Sequence, residues 1–152
     1  MKAHQVLSDC KHAYDLLEHE TDPQSFRVLF VAAVTLCRAV GHVLYKVDAC
    51  ERPELAERIA TWWRDVKSDV NGNRIFHGFI EQQRNLVLKE YKFSHDDSGQ
   101  TLIVQPSAEW FTLDELVFCP IIDGEYSGED CRDILAEAIH WWESQLRQIE
   151  NV

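Results

Sequence analysis

Apolar residues recur at helical spacing over most of this chain, and the recurrence divides it into five helical stretches and one that is not. From Ala3 to His19, the residues Val6, Leu7, Cys10, Ala13, Tyr14 and Leu17 fall on one face, which predicts a first helix. Glu20-Thr21-Asp22-Pro23 then reads as a stop followed by a start, with Asp22 as N-cap and Pro23 at the first helical position. The second helix, Pro23 to about Asp48, is apolar nearly all round apart from a narrow stripe of Arg27, Thr35, Arg38, His42 and Lys46. Such a helix belongs at the centre of a fold. A third begins near Pro53 and places Leu55, Ile59, Trp62, Trp63 and Val66 on one side. Asn71-Gly72-Asn73 ends it and caps a fourth, Asn73 to Lys92, which is expected to pair antiparallel with the third.

The helical period disappears between Phe93 and Gly128. Thr101–Val104, closed by Pro106, reads as a short strand, with Glu115 to Ile122 as its expected partner in a β-hairpin. Ser127-x-x-Asp130 has the form of a capping box opening a last helix that runs to about Ile149, with Cys131, Leu135, Ala138, Trp142, Leu146 and Ile149 as its stripe. The expected architecture is all-α: an up-down bundle of four to five helices forming a single domain over 1–152, interrupted by a non-helical insert at about 93–128.

Composition narrows the class. With 152 residues and 45% hydrophobic content, the chain can build its own core without staples. The N-terminal stretch mixes charges and histidines into its apolar positions, unlike a signal peptide. Val28 to Tyr45 is interrupted by Thr35, Arg38 and His42, which argues against a membrane span. A cytoplasmic location with no membrane partner is the expectation. Five cysteines without C-x-x-C spacing read as reduced structural thiols.

The formal net charge of −11 sits in the last third, where residues 93–152 carry 2 basic and 13 acidic groups. That third would repel a nucleic-acid backbone and favour a basic protein partner.

Two spacings look like metal motifs, Asp9-x-x-His12 and Glu137-x-x-His140, the second in the i, i+3 form of di-iron bundles. Both point away from their apolar stripes, so no metal site is expected. No glycine-rich phosphate loop, nucleophile elbow or H-E-x-x-H is present, and no cofactor is expected. The pairs Trp62-Trp63 and Trp141-Trp142 straddle apolar faces and read as core or as a dimer surface.

One position breaks the pattern. On an α-helical wheel Arg84 lies within about 60° of Ile80, Val87, Leu88, Tyr91 and His77. An arginine in an apolar stripe needs either a carboxylate from the fold or access to an outside anion.

The sequence Gln83-Arg84-Asn85-Leu86-Val87-Leu88-Lys89-Glu90-Tyr91, late in a helical bundle, resembles the HEPN superfamily of higher eukaryote and prokaryote nucleotide-binding domains. The family signature is an arginine, often followed by a polar residue, then a histidine after four to six intervening residues. In ribonuclease members two such motifs meet across a dimer and cleave RNA without a metal. Histidine serves there as the base and arginine holds the phosphate oxygens. Here Lys89, Glu90 and Tyr91 occupy the positions of the motif histidine. Of these only Tyr91 shares the direction of Arg84, and a phenol is a poor general base at neutral pH.

The resemblance therefore implies a homodimeric protein that binds RNA or nucleotide phosphate without efficient ribonuclease activity. Arg84 would contact phosphate, Asn85 would orient it, and His77, Tyr91 and Lys89 would line the same groove. If the chain were an enzyme, it would be a metal-independent endoribonuclease with Arg84, His77 and Tyr91 as candidates. The alternative is a non-enzymatic regulatory or protein-interaction bundle, acidic in its last third, with Arg84 as a structural ion pair.

Overall fold

Helix α2, Pro23–Glu51, packs against each of the other helices. The computed structural model describes residues 1–96, 98, the backbone of 101–104 and 109–112, and 114–150. It is an all-α bundle of five helices: α1 (Lys2–Glu18), α2, α3 (Pro53–Ser68), α4 (74–90) and α5 (Cys131–Glu150).

α2 starts as its sequence dictates, with Pro23 at N1 and the Asp22 carboxylate accepting from the Ser25 amide at 2.8 Å. By length and apolarity alone it would serve as a membrane span. In the bundle Phe26, Phe30, Ala33, Val34, Cys37, Val40 and Leu44 are buried beneath neighbouring helices. Its last turns widen to π geometry at Leu44–Asp48, which carries Asp48 to the start of α1. There the Asp48 carboxylate accepts from the amides of Lys2 at 2.7 Å and Ala3 at 2.9 Å. α1 has no side-chain cap of its own, so a residue 45 positions later satisfies the first amides of the helix. α1 lies along α2 through Ala3, Leu7, Cys10, Ala13 and Leu17.

α5 contributes Cys131, Ile134, Leu135, Ala138, Ile139, Trp142, Leu146 and Ile149 to the core. Its Trp142 ring joins Trp62, Trp63, Phe76 and Trp141 in a chain of aromatic contacts between 4.7 and 6.5 Å. Each tryptophan pair thus sends one ring, Trp62 or Trp142, into the core and keeps the other, Trp63 or Trp141, half-buried against it. Trp62 also donates its Nε1–H to Gln145 at 2.7 Å.

Three expectations change. α3 and α4 meet near their connecting turn, through Trp63 on Phe76 and through His77 on the Val66 carbonyl, instead of running side by side. α3 leans on the end of α2 and on α5. The strand Thr101–Val104 runs antiparallel to Glu109–Thr112, with Thr101 opposite Thr112 and Val104 opposite Glu109. The expected partner segment, Glu115 to Ile122, is turn and irregular backbone that forms bridges only at Pro120 and Ile121. Finally, the capping box does not form: Ser127 Oγ donates to the Ile122 carbonyl, and Asp130 alone caps α5 by accepting from the Arg132 amide at 2.9 Å.

Candidate functional site

α4 is where the sequence and the fold disagree most usefully. Its turns are π-helical over Phe76–Glu81 and Leu86–Glu90, so the i→i+5 pattern rotates the helix away from a wheel drawn at 100°. The buried face consists of Ile75, Phe76, Phe79, Ile80, Gln83 and Val87. Gln83, only 2% exposed, takes the inward polar position and accepts from Ser94 Oγ at 2.7 Å. Arg84 is displaced to the half-buried margin, where Nη1 donates to Asn85 Oδ1 at 3.0 Å.

At that margin Arg84 lies close enough to the Arg38 guanidinium of α2 for each charge to act on the other. Arg38 is held between rings, its Cζ 5.7 Å from the Trp63 centroid and 5.4 Å from that of Phe76. Burial lowers the Arg38 pKa, the nearby Glu81 carboxylate raises it, and the positive charge of Arg84 lowers it further, leaving it below the ordinary guanidinium value. A guanidinium stays protonated regardless, so the two like charges repel one another across the α2/α4 face. The counter-charge is thin. Glu81 Oε1 is 3.8 Å from Arg38 Nη2, and Glu81 Oε2 is 3.9 Å from His77 Nδ1. Both are beyond hydrogen-bond range, and one half-exposed carboxylate serves both neighbours. Among the described residues no carboxylate lies within 4 Å of Arg84. The ion pair required by the alternative reading is not formed there.

The other expected site residues separate. His77 Nε2 donates to the Val66 carbonyl at 2.9 Å, and its ring meets Phe76 edge-on. A carbonyl only accepts, so Nε2 carries the proton and the ring ties α4 to α3. Tyr91 does not share the Arg84 face: it ends α4 in the left-handed region at φ 49°, is 67% exposed, and packs edge-on to Phe93. The Tyr91 amide donates to the Val87 carbonyl, the single bond of a left-handed helix cap, and the Lys92 amide reaches back to the Leu86 carbonyl. Lys89 is exposed on the last turn. Arg84, Asn85 and His77 remain along the α2/α4 face, joined by Arg38, Glu81 and Trp63. Arg38 carried a signal in the sequence as a charge within the narrow polar stripe of an apolar helix. Trp63 carried none, because its spacing is that of a core residue.

The metal-like pairs point outward: Asp9, His12, Glu137 and His140 are all exposed, and His140 Nδ1 bonds the Ala136 carbonyl of its own helix. Among the described residues no three His, Cys, Asp or Glu side chains gather as a metal site.

Comparison with known proteins gives no match to a family model, a curated protein or a solved structure. The HEPN resemblance therefore rests on Arg84 and Asn85 alone.

Proposed function

We propose that the α2/α4 face binds a phosphate group of RNA or of a nucleotide, with Arg84 and Arg38 as its two cations and Asn85 fixing the Arg84 fork. One observation carries this reading: two guanidiniums near enough to act on one another are left under-compensated, since Arg38 has only Glu81 at 3.8 Å, beyond hydrogen-bond range, and Arg84 has no carboxylate within 4 Å among the described residues. Each guanidinium offers a planar fork of donors that matches phosphate oxygens, and an anion between them removes their mutual repulsion. His77 lines the site and positions α4, because its Nε2 proton is already donated to Val66. The reading is accordingly one of binding without cleavage.

The test is a titration of the purified protein with single-stranded RNA in low and moderate salt, beside Arg84→Ala and Arg38→Ala, with RNA length checked afterwards. Binding that weakens about ten-fold or more in each variant, with intact RNA, is the expected result, since a charge-assisted contact contributes about 1.5–3 kcal/mol. Affinity unchanged in Arg84→Ala, or no binding by the parent protein in low salt, would discard the proposal.

A further inference from the structure

An open cavity of about 520 Å³ lies between the end of α2 and α3. Its lining is Tyr45, Ala60, Trp63, Arg64, Lys67 and Ser68. Two aromatic rings and two cations line it, and among the described residues no carboxylate does, in a chain whose net charge is −11. The rings of Tyr45 and Trp63 stand 6.2 Å apart at 33°. Lys67 Nζ is 4.9 Å from the Trp63 centroid, and Lys46 Nζ is 5.4 Å from that of Tyr45. Tyr45 is 39% exposed, so part of its ring is open to a ligand.

The lining selects its ligand by chemistry. A quaternary ammonium suits aromatic faces but is repelled by Arg64 and Lys67. Inorganic phosphate suits the cations but gains nothing from the rings. A planar aromatic group carried on an anion uses both. Arg38 connects this cavity to the phosphate site, since the same guanidinium that stands beside Arg84 lies 5.7 Å from the Trp63 ring.

We propose that the Tyr45/Trp63 cavity takes an unpaired nucleobase of the same strand whose phosphate is held by Arg38 and Arg84, so that the ligand is single-stranded nucleic acid. This rests on the phosphate-binding reading above. Stacking on an aromatic side chain is open to any base but requires that the base be free of a duplex.

The experiment compares a short single-stranded oligoadenylate, an abasic oligomer of equal length and charge, and the oligoadenylate paired with its complement, on the parent protein and on Tyr45→Ala, Trp63→Leu and Arg84→Ala. The oligoadenylate should bind roughly ten-fold or more tightly than either the abasic or the paired form. Tyr45→Ala should abolish that preference while leaving abasic affinity unchanged; Trp63→Leu should abolish it too and also weaken the abasic oligomer, because the Trp63 ring holds Arg38, and Trp63→Phe should restore part of both. Tyr45 is exposed at the rim, so its variant decides the matter even if Trp63→Leu fails to fold. Arg84→Ala should weaken oligoadenylate and abasic oligomer alike. Equal affinity for the two oligomers, or a preference that survives Tyr45→Ala, overturns the base site and leaves the phosphate site standing. A preference lost in Tyr45→Ala with no effect of Arg84→Ala overturns the phosphate site instead. Competition by an aromatic acidic peptide with no binding of either oligomer overturns both.

Discussion

Gly41 is where α2 lets α5 come close, and the reason is a single ring. A Cβ built at Gly41 would stand 2.6 Å from Cη2 of Trp142, a side chain that is fully buried among Trp62, Phe76 and Trp141. Two effects compete in Gly41→Ala. Replacing glycine inside a helix contributes up to about 1 kcal/mol of propensity, whereas forcing a methyl group into a filled core costs about 1–3 kcal/mol. The ring cannot retreat, because its neighbours are themselves core residues, so overpacking wins. Gly41→Ala is expected to destabilise by about 1 kcal/mol and to lower Tm by about 2–4 °C. Trp142→Phe shortens the ring at the point of contact, so the Gly41→Ala penalty should shrink or reverse in that background. A double-mutant cycle in urea checks this, and a stabilising Gly41→Ala in the parent background would contradict it.

The junction between the insert and α5 is an element-scale device built on Asp130. Its carboxylate accepts from the Cys119 amide at 2.9 Å, the Arg132 amide at 2.9 Å, and Arg132 Nε and Nη2 at 2.9 and 2.7 Å. Arg132 Nη2 also donates to the Val117 carbonyl at 2.9 Å. The pair is largely buried, with side-chain exposures of 7% and 14%. Burial alone raises the Asp130 pKa. The Arg132 hydrogen bonds and the two backbone amides outweigh it, so the carboxyl stays below its ordinary value. A depressed native pKa contributes stability above the unfolded-state value, near 3.9, and that contribution is lost as pH falls through the native value. Removing one partner of such a pair costs about 3 kcal/mol. Asp130→Ala should therefore destabilise by about that amount at neutral pH, and Asp130→Asn should show a shallower loss of stability below about pH 4. Urea denaturation across pH 3–7 measures both; an unchanged acid limb in Asp130→Asn would remove the assignment.

Such junctions also mark what the sequence could and could not disclose. α1, α2 and α5 were legible because their stripes are long and helical in period, and the Asp22-Pro23 start acts locally. The Asp48 cap on α1 was not, since its two halves lie 45 positions apart and meet only through the fold. In α4 the arginine was recognisable as out of place, but its direction was misassigned because π turns shift the face and let Gln83 take the interior. Ser127-x-x-Asp130 failed as a capping box because Asp130 is an N-cap in its own right, engaged with Arg132 and Cys119. Of the candidate site, Arg84 and Asn85 could be named from the sequence. Arg38 and the Tyr45/Trp63 cavity required α2 and α3 to be placed beside α4.

At the scale of the whole molecule, charge is segregated. The excess of acids lies in residues 93–152, whereas Arg38, Arg64, Lys67 and Arg84 come from earlier in the chain. The proposed ligand would be repelled by the net charge of the molecule and attracted by the cations of the α2/α3/α4 face. Two guanidiniums, plus at most the two cations of the cavity, limit the phosphates neutralised to about two to four, far fewer than along a continuous basic track. Single-strand binding loses affinity with salt as roughly −0.7 per phosphate neutralised. The expected slope of log K against log salt is therefore about −1.4 to −2.8, and Arg84→Ala should make it shallower by about 0.7. A slope steeper than about −4 would require a longer cationic path and would place binding elsewhere. A slope near zero would mean that no phosphate is contacted, and would leave stacking in the Tyr45/Trp63 cavity as the sole source of affinity.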